Sequence, residues 1–171
     1  LKQSKITHVV SVISSDKQRS LPSFLTGLHA QVDDVEDAYV FVTRAEFDAR
    51  LNAGGFLEWN EFLGHAYGTP VPEDSDERDL LLEIDVAGGR QVLDRLPHAL
   101  CLFVDAPDDN ELRRRLIERG DGRERAEQRI VEAARERAEA DGLGYRRVAN
   151  DDLETAIVTV RELIEAARAG A

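Results

Sequence analysis

Apolar residues recur along this chain with two alternating periods, and the alternation predicts its elements. Residues 6–14 (ITHVVSVIS) are a β-branched run containing a core strand. Residues 44–53 (RAEFDARLNA) read as a helix with Phe47 and Leu51 on one face. Thr43 and Glu46 are spaced as a capping box, and Gly54-Gly55 is the stop. FLEWNEF, 56–62, alternates apolar and polar and predicts a half-exposed strand with Glu58 and Asn60 on its polar side. After a short acidic linker, residues 80–86 (LLLEIDV) predict a buried parallel-type strand. Ala87-Gly88-Gly89 then leads into a helix carrying Val92, Leu93 and Leu96. Residues 100–104 (LCLFV) are a further core strand. A helix capped by Asp108 or Asp109 carries Leu112, Leu116 and Ile117 on one face and ends at Gly120. Beyond residues 121–129 an alanine-rich helix runs to about Ala140, followed by a short strand at 146–150. A last helix, capped by Asp151 or Asp152, spaces Leu153, Ala156, Ile157, Val160, Leu163 and Ile164 along one face. Strands alternating with helices predict a three-layer α/β fold with a mostly parallel sheet.

Composition narrows this picture. At 171 residues the chain is long enough for one compact domain with a proper core. A net charge of −12 argues against a nucleic-acid or anionic-membrane surface. No apolar run reaches spanning length and no signal peptide is apparent, so a cytoplasmic protein is expected. The one cysteine, Cys101, sits in an apolar run and reads as a buried strand thiol. Four scattered histidines, none at a ligand spacing from Cys101, predict no metal cluster.

Candidate chemistry concentrates between Tyr39 and Pro70. Two tyrosines, a carboxylate and a hydroxyl fall at the ends of its elements: Tyr39 and Tyr67, Glu58, and Thr69. Such a set can hold a phosphorylated ring, the tyrosines toward phosphate oxygens and Glu58 accepting from a base edge. The plain alternative is a helix-and-hairpin subdomain with ordinary core aromatics.

The blocks Tyr-x-Phe-Val, Phe-x-Glu-Trp and Tyr-Gly-Thr occur here in order. LEIDVAG (82–88), Ala106-Pro107, LRRRLIERG (112–120), Gln128-Arg129 and VANDD (148–152) follow. Over residues 36–168 the chain therefore resembles the guanylate kinases. The resemblance implies the P-loop-NTPase-like fold of the nucleoside monophosphate kinases. Within one domain, residues 1–35, 71–118 and 131–171 would form the core, 36–70 a GMP-binding-like subdomain and 119–130 a lid. It implies that Tyr39, Glu58, Tyr67 and Thr69 contact GMP, with Glu83 and Asp85 at the matching acidic positions. Asp85 is equally placed to cap a helix. Asn150 matches a residue beside the adenine. Arg115, Arg119 and Arg129 match lid arginines that stabilise the transferring phosphoryl group, with a salt-bridged helix face as the alternative.

Two departures bear on activity. Where the family carries a glycine-rich phosphate loop ending in Gly-Lys-Ser/Thr, residues 15–22 read Ser-Asp-Lys-Gln-Arg-Ser-Leu-Pro. Glycines let successive backbone N–H groups converge on phosphate oxygens, and Asp16 brings the wrong charge. The arginines that would grip the acceptor phosphate are also missing from residues 29–38, which carry Asp33, Asp34, Glu36 and Asp37 instead. All three lysines, Lys2, Lys5 and Lys17, lie in the first seventeen residues. The expectation is a guanylate-kinase-like protein that binds GMP or another phosphorylated ligand, with ATP-dependent transfer lost or impaired. The alternatives are an active kinase using ATP and Mg2+, with no cofactor otherwise, and a scaffold module with a protein partner.

Overall fold

The computed structural model describes residues 9–14, 40–62, 64–72 and 80–169. The element order is β1 (Val9–Ser14), α1 (Arg44–Asn52), β2 (Phe56–Phe62), β3 (His65–Pro70), β4 (Leu80–Glu83), α2 (Val86–Arg95), β5 (Leu100–Asp105), α3 (Asp109–Glu118), α4 (Arg123–Gly142), β6 (Arg146–Ala149) and α5 (Leu153–Ala169). Four strands form a sheet in the order β4-β1-β5-β6, every pair parallel. β2 and β3 form a separate antiparallel hairpin.

β5 organises the core because both of its faces are covered. Leu100, Leu102 and Val104 pack with Val148 against Ala156, Ile157 and Val160 of α5. Cys101 and Phe103 point the other way, toward Val86, Ala140 and Tyr145. A parallel strand sandwiched in this way needs apolar side chains at every position, which is why LCLFV shows no alternation. Cys101 is free and buried, and burial pushes its thiol pKa up. A third cluster ties α3 to α4 through Leu112, Leu116, Ala126, Ile130 and Ala133.

In several places local patterning is overridden. The helix after β4 begins at Val86, not beyond Gly89. Asp85 is its N-cap, accepting from Gly88 N at 2.8 Å, and both Gly88 and Gly89 lie buried inside α2. β4 is correspondingly shorter than its apolar run, and only Leu82 in it is buried, because β4 lies at one end of the described sheet. Helix α4 begins at Arg123, so most of the segment read as leading into it is already helical. The last strand ends at Ala149 and Asn150 follows it. The capping box of α1 forms as its spacing implies, with Thr43 and Glu46 bonding each other's backbone. Among the described residues no helix is long and apolar enough to cross a membrane.

Candidate functional site

The hairpin lies against α2, and Glu58 sits at the junction. The alternation of FLEWNEF predicts a solvated Glu58, yet the residue is only 4% exposed, and Phe56 and Leu57 before it are buried too. Helix α2 covers the face that Glu58 shares with Asn60, and a register shift lies between Phe56 and Glu58 in the pairing of β2 with β3. An irregularity there breaks the period of two, so consecutive side chains go inward. Leu57 joins Leu82 and Val92 in a small core, while Phe56 stacks on Phe47 of α1 with ring centroids 4.6 Å apart.

Burying a carboxylate requires donors, and Thr69 supplies them. Its backbone N donates to Glu58 Oε1 at 3.0 Å and its Oγ1 to the same oxygen at 2.6 Å. Glu58 Oε2 accepts no hydrogen bond among the described residues, and it lies where a side chain on Gly88 would be. A Cβ there would stand 2.8 Å from it. Burial pushes the Glu58 pKa above the usual glutamate value, and the nearby Asp85 carboxylate adds to the rise against the opposing pull of the Thr69 donors. Gly68, between Tyr67 and Thr69, leaves no space for a side chain either, since a Cβ would meet Glu58 O at 2.7 Å and Trp59 Cβ at 2.9 Å.

Asp85 performs two tasks at once. One oxygen caps α2, and the other accepts from Asn60 Nδ2 at 3.1 Å. Tyr67, opposite Asn60 in the hairpin, is 43% exposed, and desolvation raises its pKa. Glu58, Thr69, Tyr67 and Asp85 are thus brought together by the hairpin and the start of α2, with Asn60 bonded to Asp85 across the junction. Glu83 ends β4 as an exposed residue. Tyr39 and the segment 15–22 lie outside the described residues.

Arg115 lies in α3, Arg119 is its C-cap residue and Arg129 lies in α4. Arg115 Nε donates to Glu111 Oε1 at 2.7 Å, Arg119 Nε to Asp121 Oδ2 at 2.9 Å, and Arg129 pairs with Glu132. These are the local ion pairs of a salt-bridged helix surface. Arg119 is the C-cap residue of α3, and Gly120, at φ 99°, turns the chain toward Gly122, the N-cap of α4. Asn150 is buried, and its N donates to Asp105 O at 2.7 Å.

Sequence reasoning missed Arg137 and Asp105. Asp105 ends β5 nearly buried, and Arg137 of α4 grips it with Nε at 2.5 Å and a second nitrogen at 3.1 Å while also reaching Asp109 at 2.6 Å. The Asp105 carboxylate holds this guanidinium pKa above its ordinary value. Only the carboxylate at the end of an otherwise apolar strand hinted at the pair. Gly88 carried a fainter signal, since a glycine inside a helix usually has a packing reason.

A parallel sheet covered on both faces, with a small hairpin subdomain beside it, defines the nucleoside monophosphate kinase class of α/β proteins. A guanylate kinase crystal structure from Anaplasma phagocytophilum shares this fold, with a TM-score of 0.68 at 20% identity over 96% of this chain and 87% of that one. The family model for guanylate kinase matches residues 17–167. The guanylate kinase of Enterococcus faecalis is 37% identical over 138 residues, 78% of this chain and 67% of that protein. A guanylate kinase of Thermus thermophilus is 40% identical over 143 residues, 81% of this chain and 64% of that protein. The chain belongs to the guanylate kinase family, and its matches span about two thirds of the length of these relatives.

Proposed function

We propose that the protein binds GMP in the pocket between the β2–β3 hairpin and α2, and that phosphoryl transfer from ATP is impaired. The observation that carries the reading is the Glu58 carboxylate, buried and oriented through one oxygen by Thr69. The other oxygen is left to accept from a ligand. A guanine edge offers N–H donors to such an acceptor, and an adenine does not present the same pair. Tyr67 and Tyr39 would face the phosphate, and Asp85 and Glu83 would complete the acidic side. Impairment is supported by the sequence of residues 15–22, which lacks the glycines and lysine that cradle ATP phosphates. It is supported too by the absence of arginine from residues 29–38.

A second reading, an active ATP:GMP phosphotransferase, is favoured by family membership and by Arg115, Arg119 and Arg129 at the lid positions. Released from Glu111, Asp121 and Glu132, these arginines would stabilise charge on the transferring group. Among the described residues no cluster of three or more His, Cys, Asp or Glu can hold a metal ion. On this reading Mg2+ would arrive with the nucleotide, whose phosphates and waters supply most of its ligands in sites of this kind.

The deciding experiment pairs calorimetric titration of GMP and ATP with a coupled assay of ADP formation. GMP binding without turnover, reduced roughly 10- to 100-fold in Glu58→Gln, is the expected result. Turnover lost in both Glu58→Gln and Arg119→Ala would replace the first reading by the second.

A further inference from the structure

Asp85, Gly88 and Gln91 stand three residues apart, so they share one face of α2. That face meets β2 at three consecutive residues. Asp85 accepts from the Asn60 side chain, Gly88 makes room for the Glu58 carboxylate, and Gln91 takes the backbone of Trp59. The Gln91 contact is double: its Oε1 accepts from Trp59 N at 3.2 Å and its Nε2 donates to Trp59 O at 2.8 Å. A carboxamide offers an acceptor and a donor side by side, as the edge of a neighbouring strand does. β2 uses one edge to pair with β3, and Gln91 serves as a one-residue strand on the other.

We infer that Gln91 is a positioning residue for guanine recognition: by holding the backbone of Trp59 it keeps the adjoining Glu58 carboxylate seated over Gly88. The inference rests on the GMP pocket proposed above. Gln91 itself touches no ligand. Glu58 is attached to β2 at the residue just before the clamp, and its partner Thr69 belongs to the same hairpin. Without Gln91, water would take over the Trp59 groups, and the hairpin could shift against α2 and carry the carboxylate off its seat.

The test compares GMP and AMP binding in the wild type, Gln91→Ala and Glu58→Gln by calorimetry. Emission of Trp59, the one tryptophan in the sequence, reports the docking of β2. Gln91→Ala is expected to lower the preference for GMP over AMP roughly tenfold while shifting Trp59 emission, in keeping with the loss of two ordinary hydrogen bonds. Gln91→Glu keeps the acceptor for Trp59 N but turns an oxygen toward Trp59 O. Its displacement of Trp59 emission from the wild-type value should shrink at acid pH, where a protonated carboxyl again donates, while its GMP preference is compared at neutral pH. That comparison serves if the alanine variant fails to fold. A preference intact in both Gln91 variants but lost in Glu58→Gln overturns the positioning role alone, as does an equal loss for GMP and AMP. A wild type without preference for GMP overturns the pocket reading, and this inference with it.

Discussion

Glu58 has a folded-state pKa above its ordinary value, chiefly because it is buried. The folded protein therefore holds this proton more tightly than the unfolded chain. The resulting stabilisation is complete below the unfolded pKa and is lost as pH rises through the folded one. Binding should run the opposite way, because a guanine N–H is accepted best by the ionised carboxylate. Over the interval above the ordinary glutamate pKa, the wild-type urea midpoint should fall relative to that of Glu58→Gln. The preference for GMP over AMP should rise over the same interval. AMP carries a phosphate that titrates like that of GMP, so the ratio isolates Glu58. Parallel rather than opposed trends would show that Glu58 does not accept from the base.

For the elements, the decisive junction is β2 on α2. Gly88 lies in a helix interior, where alanine is the better helix former by about 1 kcal/mol. Its Cβ would, however, come within 2.8 Å of Glu58 Oε2 and 3.3 Å of Ile84 Cβ. Gly88→Ala should thus leave the unfolding free energy within about 1 kcal/mol of wild type, propensity offsetting the contact. GMP affinity should fall roughly tenfold because the carboxylate is displaced. Urea denaturation and calorimetry separate the two effects. Helices α3 and α4 show the contrasting case. The pairs Arg115 with Glu111 and Arg129 with Glu132 follow helical spacing and could be anticipated from it.

Across the whole molecule, Arg137 fastens α4 to the end of the central strand through Asp105, 32 residues away. Both side chains are largely buried. Removing one partner strands the other, and Arg137→Met is expected to cost about 3 kcal/mol of unfolding free energy. Pairing it with Asp105→Leu should recover most of the loss, because neither charge is then buried alone. A full double-mutant cycle in urea checks this, and strictly additive losses would mean the pair contributes nothing as a pair. Arg137 also bonds Asp109 at the start of α3. The same guanidinium thus ties both helices that flank Gly120 and Gly122 to the sheet.

What the sequence determined by itself was local or repetitive. The period of 3.6 in α5, the unbroken apolar run of β5 and the capping box of α1 all arise from residues within a few positions of each other, so they can be read without coordinates. The family blocks were legible for a related reason, as short strings in a constant order, and they named Glu58, Tyr67, Thr69 and Asp85 together. The state of those residues was decided in three dimensions. Glu58 is buried because α2 packs over the strand face that alternation predicts to be solvated. Asp85 caps a helix while binding Asn60 across 25 residues, and Gln91 holds Trp59 across 32. Periodicity records which face of an element is apolar. It carries no information on which distant backbone will be pressed against that face, and there the donors, acceptors and vacant Cβ positions of this junction were settled.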